Sequence, residues 1–269
     1  MQPAFSVIFL TTLAVAAQGL FLALYGTEIS GLGALTASES RQFLSAASAV
    51  ALVLTGLGLL ASFFHLGHPE RAWRSATMWR TSWLAREVIA LPLFMLGLFV
   101  YAGAHWFGVG NTRLIGAVTV LLCLALFVAT AMIYASVRFL QEWASPLTLV
   151  NYLLLGCASG LTLATLLAWV TRSASLVRNA RLKPKSTLQS AIGIKHPRIV
   201  QKAQGFTGGS FNTREFFHGR SVPLLRSVKW AFLLLVLAFV LQYLGLLAER
   251  WFFFAQANHP QNLYYQTIS

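Results

Sequence analysis

Six apolar runs, at 5–27, 43–65, 84–106, 113–138, 146–170 and 228–254, constrain this chain more than any other feature. Each is long enough to cross a hydrocarbon core of about 30 Å as a helix of about 20 residues. Inside lipid, every backbone N–H and C=O must find its partner within the segment, so each run is expected to be α-helical. Too few polar side chains remain to cover a water-facing surface: charged residues make up 10% of the chain, where soluble domains carry roughly 25%. The expected fold is an all-α integral membrane bundle of about six transmembrane helices, one membrane domain over 1–269, with a long basic loop between helices five and six. The first run lacks a basic leader and is too long for the apolar core of a signal peptide, so it is expected as a retained helix. Gly156 and Gly160 stand at GxxxG spacing in the fifth run, which lets two helices approach closely.

The basic loop covers 171–227. With Lys229 at its edge it holds twelve Lys and Arg against one acid, Glu215, a net +11 within a whole-chain charge of +13. A solvated loop beside anionic lipid accounts for such a run. Its second half, 205–219, mixes four Phe with glycines and hydrogen-bonding groups, as a folded docking surface would; Phe211, Asn212, Arg214, Phe216 and Phe217 are its candidates. The positive-inside rule puts this loop in the cytoplasm and both termini outside. The loop between spans two and three, with Arg71, Arg74 and Arg80 against Glu70, opposes that orientation.

The sharpest constellation for chemistry is His65-Leu-Gly-His-Pro-Glu-Arg-Ala-Trp73, followed by Arg80-Thr-Ser-Trp-Leu-Ala-Arg-Glu87. His65 closes the second span, and Arg86 and Glu87 open the third. A hairpin of these helices brings His65 and Glu87 to one membrane depth, with Trp73, Trp79 and Trp83 in the interfacial belt. Imidazole and carboxylate at the rim of an apolar cavity suit a quinone, whose two oxygens need hydrogen bonds and whose two-electron change moves two protons. The structural alternative is that Glu87 pairs with Arg86, Arg71 or Arg74 and only fixes the hairpin.

Metal cofactors are not expected. Cys123 and Cys157 lie in apolar runs without a CxxC or a Cys/His cluster, so an iron–sulfur cluster is not indicated. A transmembrane haem needs two axial ligands at one depth. His65 and His105 sit at opposite ends of their hairpin, about 27 Å apart at helical rise. No haem is expected, and electrons would have to come from a partner.

These residues resemble the membrane-anchor family of DMSO reductase-type molybdoenzymes. The pattern His-Leu-Gly-x-Pro-x-Arg-Ala at 65–72, then Ser82 and Arg86-Glu87, carries most of the likeness; Glu249-Arg250 and the aromatic run 251–254 extend it to the last span. The resemblance implies an anchor that holds a molybdopterin catalytic subunit and an iron–sulfur subunit on the bacterial inner (cytoplasmic) membrane. It implies a site for ubiquinone or menaquinone at His65 and Glu87, with Arg71 a further candidate; Ser82, Trp83 and Arg86, beside Glu87 in sequence, are the supporting candidates. It implies no haem. The stretches 191–200, with Arg198, and 208–217 look like a branch of the family linked to sulfite oxidation. The best-known members have eight spans, and here the basic segment stands in place of two. An anchor oxidising quinol for a DMSO or tetrathionate reductase is the alternative within the family. A small transporter is the alternative outside it, though no internal repeat supports that.

Overall fold

A computed structural model describes residues 5–31, 37–64, 69–137, 143–180 and 222–255. Among them are six helices long and apolar enough to cross a membrane: α1 (Phe5–Ser30), α2 (Ala37–Phe63), α3 (Trp83–Phe107), α4 (Thr112–Ala135), α5 (Pro146–Ala180) and α6 (Val222–Ala255). A 3-10 helix, Pro69–Ala76, lies between α2 and α3. All six expected spans are present, with shifted ends. α2 begins well before residue 43, α4 stops short of 138, and α5 and α6 both run into the segment assigned to the basic loop. His65 and the docking candidates Arg198, Phe211, Asn212, Arg214, Phe216 and Phe217 lie outside the described residues.

Local chemistry fixes the ends. Ser82 caps α3 by accepting from the Ala85 N–H at 3.4 Å, and Asn111 caps α4 by accepting from the Leu114 N–H at 3.2 Å. Such caps satisfy donors that the first helical turn leaves over. α3 ends at Gly108, whose φ of 67° favours glycine. Pro92 is accommodated inside α3, where it deletes one donor and the helix continues to Phe107.

The chain divides into two compact units, residues 1–167 with 235–269, and residues 168–234. The described part of the second consists of the C-terminal end of α5 and the N-terminal end of α6. In the first unit α1 is the most buried span. Its side chain Gln18 donates to the Cys123 carbonyl of α4 at 3.1 Å, and the Cys123 thiol points back to the Gln18 carbonyl at 3.6 Å. Cys123 and Cys157 are free thiols. Phe21 meets Phe94 and Tyr101 of α3 edge to face. Hydroxyls such as Thr55 and Thr119 bond back to carbonyls four residues earlier, while Thr12 and Ser159 do so and also meet Tyr243 and Gln242 of α6.

The GxxxG spacing works as the sequence suggests. Any Cβ on Gly19 of α1 would strike the Gly156 backbone of α5, and any Cβ on Gly160 would strike the backbone at Gly19 and Leu20. The two helices therefore cross backbone to backbone.

Candidate functional site

Glu87 stands on the first turns of α3, about 6 Å along the axis from the helix start at Trp83. Its Oε1 accepts from the Thr130 hydroxyl of α4 at 2.7 Å. The alternative pairing of Glu87 with Arg86 is not the arrangement found. Arg86 turns outward instead: its Nε donates to the Trp79 carbonyl at 3.0 Å, its Nη2 to the Arg80 carbonyl at 2.9 Å, and its guanidinium lies 4.1 Å from the Trp83 ring centre. Arg86, Trp83 and the Ser82 cap thus hold the turn against the start of α3, and Glu87 is left facing the bundle. Arg71 is exposed on the 3-10 helix at the same membrane end.

Sequence reasoning missed what surrounds Glu87. Tyr134 and Tyr152 lie within electrostatic reach of both Glu87 and Arg250, and the Tyr152 phenol also faces the Thr130 hydroxyl. Arg250 of α6 is only 2% exposed. Its Nε is 3.0 Å from Glu249, and its guanidinium packs on Tyr152 at 4.8 Å and Phe253 at 5.1 Å. Asn151 of α5 donates to the other Glu249 oxygen at 3.1 Å, and the Trp143 indole donates to the Phe253 carbonyl at 3.0 Å. So α3, α4, α5 and α6 contribute to one polar layer at the Glu87 end. The available signal was Glu249-Arg250, charges inside an apolar span, which mark function by default.

A second buried cluster lies at the other end of the bundle. Glu28 of α1 accepts from the Tyr101 hydroxyl of α3 and the Thr112 hydroxyl of α4, both at 2.6 Å. His105 Nε2 approaches Glu28 at 3.5 Å, and its ring meets Tyr101 edge to face at 4.6 Å. His105 is therefore committed here, some 18 residues and about 27 Å along α3 from Glu87. Among the described residues no three His, Cys, Asp or Glu side chains converge as metal ligands would.

The Glu87 end thus gathers a buried carboxyl, hydroxyls and a guanidinium, groups that can donate, accept and exchange protons. The DMSO reductase anchor subunit (DmsC) family pattern matches residues 1–250. One relative is a subunit of the sulfite dehydrogenase of Allochromatium vinosum, 50% identical over 325 aligned positions that cover 100% of both chains. Another is a component of the anaerobic dimethyl sulfoxide reductase of Haemophilus influenzae, 28% identical over 208 residues, 74% of this chain and 69% of the relative. No solved structure matches. The chain thus belongs to the DMSO reductase anchor subunit family, as a multi-pass membrane protein and a non-catalytic anchor.

Proposed function

We propose that this chain anchors an iron–sulfur subunit and a molybdopterin catalytic subunit to the bacterial inner membrane and passes their electrons to quinone during sulfite oxidation. The full-length 50% identity to a sulfite dehydrogenase subunit supports sulfite over other substrates. The net reaction balances as sulfite, water and quinone giving sulfate and quinol. Two electrons leave sulfur at the catalytic subunit, and two protons join the quinone oxygens at the membrane.

The observation that carries the quinone reading is the Glu87–Thr130 pair, a carboxyl held across the α3–α4 interface within the bundle. A carboxyl group there has no packing role that Leu would not fill better, since burying an ionisable group is costly in lipid. Thr130 engages Oε1, which orients the carboxyl and leaves Oε2 to serve a proton acceptor. His65, which follows α2 in sequence, and Arg71 on the 3-10 helix complete the site. The imidazole bonds one quinone oxygen, the carboxyl delivers a proton to the other, and the guanidinium draws the developing negative charge. Electrons enter from the partner at the same lip, where Trp73, Arg74, Trp79 and Arg80 present an exposed aromatic and basic face.

The test compares two assays on the intact complex in its membrane. Glu87→Gln and His65→Leu should cut sulfite-to-quinone turnover at least tenfold, while reduction of a soluble dye by the catalytic subunits stays within twofold of the parent. Parental quinone rates in both variants would remove the site.

A further inference from the structure

Between the ends of α5 and α6, at the membrane level of Glu87, lies a groove of about 500 Å³. That volume sits inside the range of about 300–1,000 Å³ typical of small-molecule sites. Its wall is graded. Thr148, Asn151 and Arg250 supply hydroxyl, amide and guanidinium, whereas Leu147, Val150 and Leu154 are apolar. The three apolar side chains are exposed on the surface of α5. This pattern fits an amphiphile with a hydrogen-bonding head and a hydrocarbon tail.

The charge balance discriminates between heads. Arg250 is paired with Glu249 at 3.0 Å, and Asn151 donates to the same carboxylate at 3.1 Å. The polar end of the groove is therefore electrically neutral, and a phosphate entering it would meet the field of Glu249. A neutral head that accepts hydrogen bonds meets no such penalty. The groove also connects to the carboxyl group discussed above. Tyr152 packs under the Arg250 guanidinium at 4.8 Å and faces Thr130, which in turn donates to Glu87 at 2.7 Å.

We infer that the α5–α6 groove is the port through which quinone reaches this chain from the lipid, with its head held by Asn151 and Arg250 and its isoprenoid tail laid along Leu147, Val150 and Leu154. This inference rests on the quinone reading of the Glu87 site. Arg250 and Asn151 bind and orient, and the Tyr152 and Thr130 hydroxyls join the port to Glu87.

The experiment uses the whole complex in membrane vesicles and a photoreactive azidoquinone. After illumination, labelled peptides of this chain are identified by mass spectrometry, with and without excess short-chain quinone. Label is expected within 145–154 or 246–255, and excess quinone should suppress it. Two variants complete the test. Leu154→Trp fills the groove from an exposed position without touching the polar network, and Asn151→Leu removes a donor. Each should raise KM for quinone at least fivefold, with kcat within twofold and dye-linked rates unchanged. Label confined to 65–87, with KM unchanged in both variants, would overturn the port and leave the Glu87 site standing. Label nowhere in this chain would overturn both. Label at the groove that phosphatidylglycerol displaces and quinone does not would make it a lipid site and overturn the inference.

Discussion

Thr130 and Glu87 meet across the α3–α4 interface, 43 residues apart in sequence, through a hydroxyl-to-carboxylate bond of 2.7 Å. The bond fixes one carboxyl oxygen of the only acidic side chain on α3. A single hydrogen bond contributes about 0.5–1.5 kcal/mol. Its loss should register at the site rather than in the fold, because Val fills the Thr130 position isosterically.

Thr130→Val should therefore lower quinone-linked turnover by about tenfold, the rate equivalent of roughly 1.4 kcal/mol, and leave dye-linked turnover unchanged. Thr130→Ser keeps the donor and should retain most of the rate. Equal rates in Val and Ser variants would show that the hydroxyl does nothing for Glu87.

The Glu28 cluster makes a separate prediction, about stability. Glu28 is the acceptor for Tyr101 and Thr112 and the neighbour of His105, which is only 5% exposed. Removing one member of a buried polar network strands the others and costs about 3–5 kcal/mol when charge is involved. Glu28→Leu should lower the Tm of the detergent-solubilised complex by several degrees, and Tyr101→Phe by less, since it removes one neutral donor. Quinone-linked turnover per assembled complex should stay near the parental value in both, because the cluster lies about 27 Å from Glu87.

Gly160 and Gly19 set the α1–α5 crossing, and the close approach has no room for a side chain. Overpacking a tight contact costs about 1–3 kcal/mol, more where backbone must move. Gly160→Leu should reduce the amount of assembled complex in membranes severalfold, measured by quantitative immunoblot. Gly26→Ala is the matched control: its Cβ would meet nothing within 4 Å, so assembly should be unaffected.

Much of this is legible in the sequence because apolar run length alone dictates a spanning helix. Gly156 and Gly160 signal a close crossing by their spacing, though the partner, Gly19, carries no such mark. Glu87 stands out as a charge inside a span. Its partner Thr130 does not, since a lone Thr in a membrane helix ordinarily bonds its own backbone, as Thr119 does. Glu28 reads as a loop residue in sequence because a carboxylate ordinarily ends an apolar run. The helix continues to Ser30 because Tyr101 and Thr112, on two other helices, supply the hydrogen bonds that make the carboxylate tolerable. Arg250 reads as a charge inside the last apolar span. Its near-complete burial depends on the aromatic walls of Tyr152 and Phe253, which only the packing of α5 on α6 brings together.

The last prediction concerns where the electron-donating partner sits. Two basic regions compete: the lip with Arg74 and Arg80 beside Glu87, and the basic segment with Arg198 and Arg214. Three candidate spans, α3 to α5, separate the two regions in sequence, so the proposed arrangement assigns them to opposite sides of the membrane. Electrons arriving on the far side would have to cross a bilayer's thickness of protein to reach Glu87, so the quinone reading requires docking at the lip. Trp73 and Trp79, 68% and 53% exposed there, offer the aromatic anchors that protein interfaces favour. Reversing both charges at the lip, Arg74→Glu with Arg80→Glu, should release the iron–sulfur subunit from washed membranes. Arg198→Glu with Arg214→Glu should leave it bound. The opposite pattern would move docking to the basic segment and take the quinone site away from Glu87 with it.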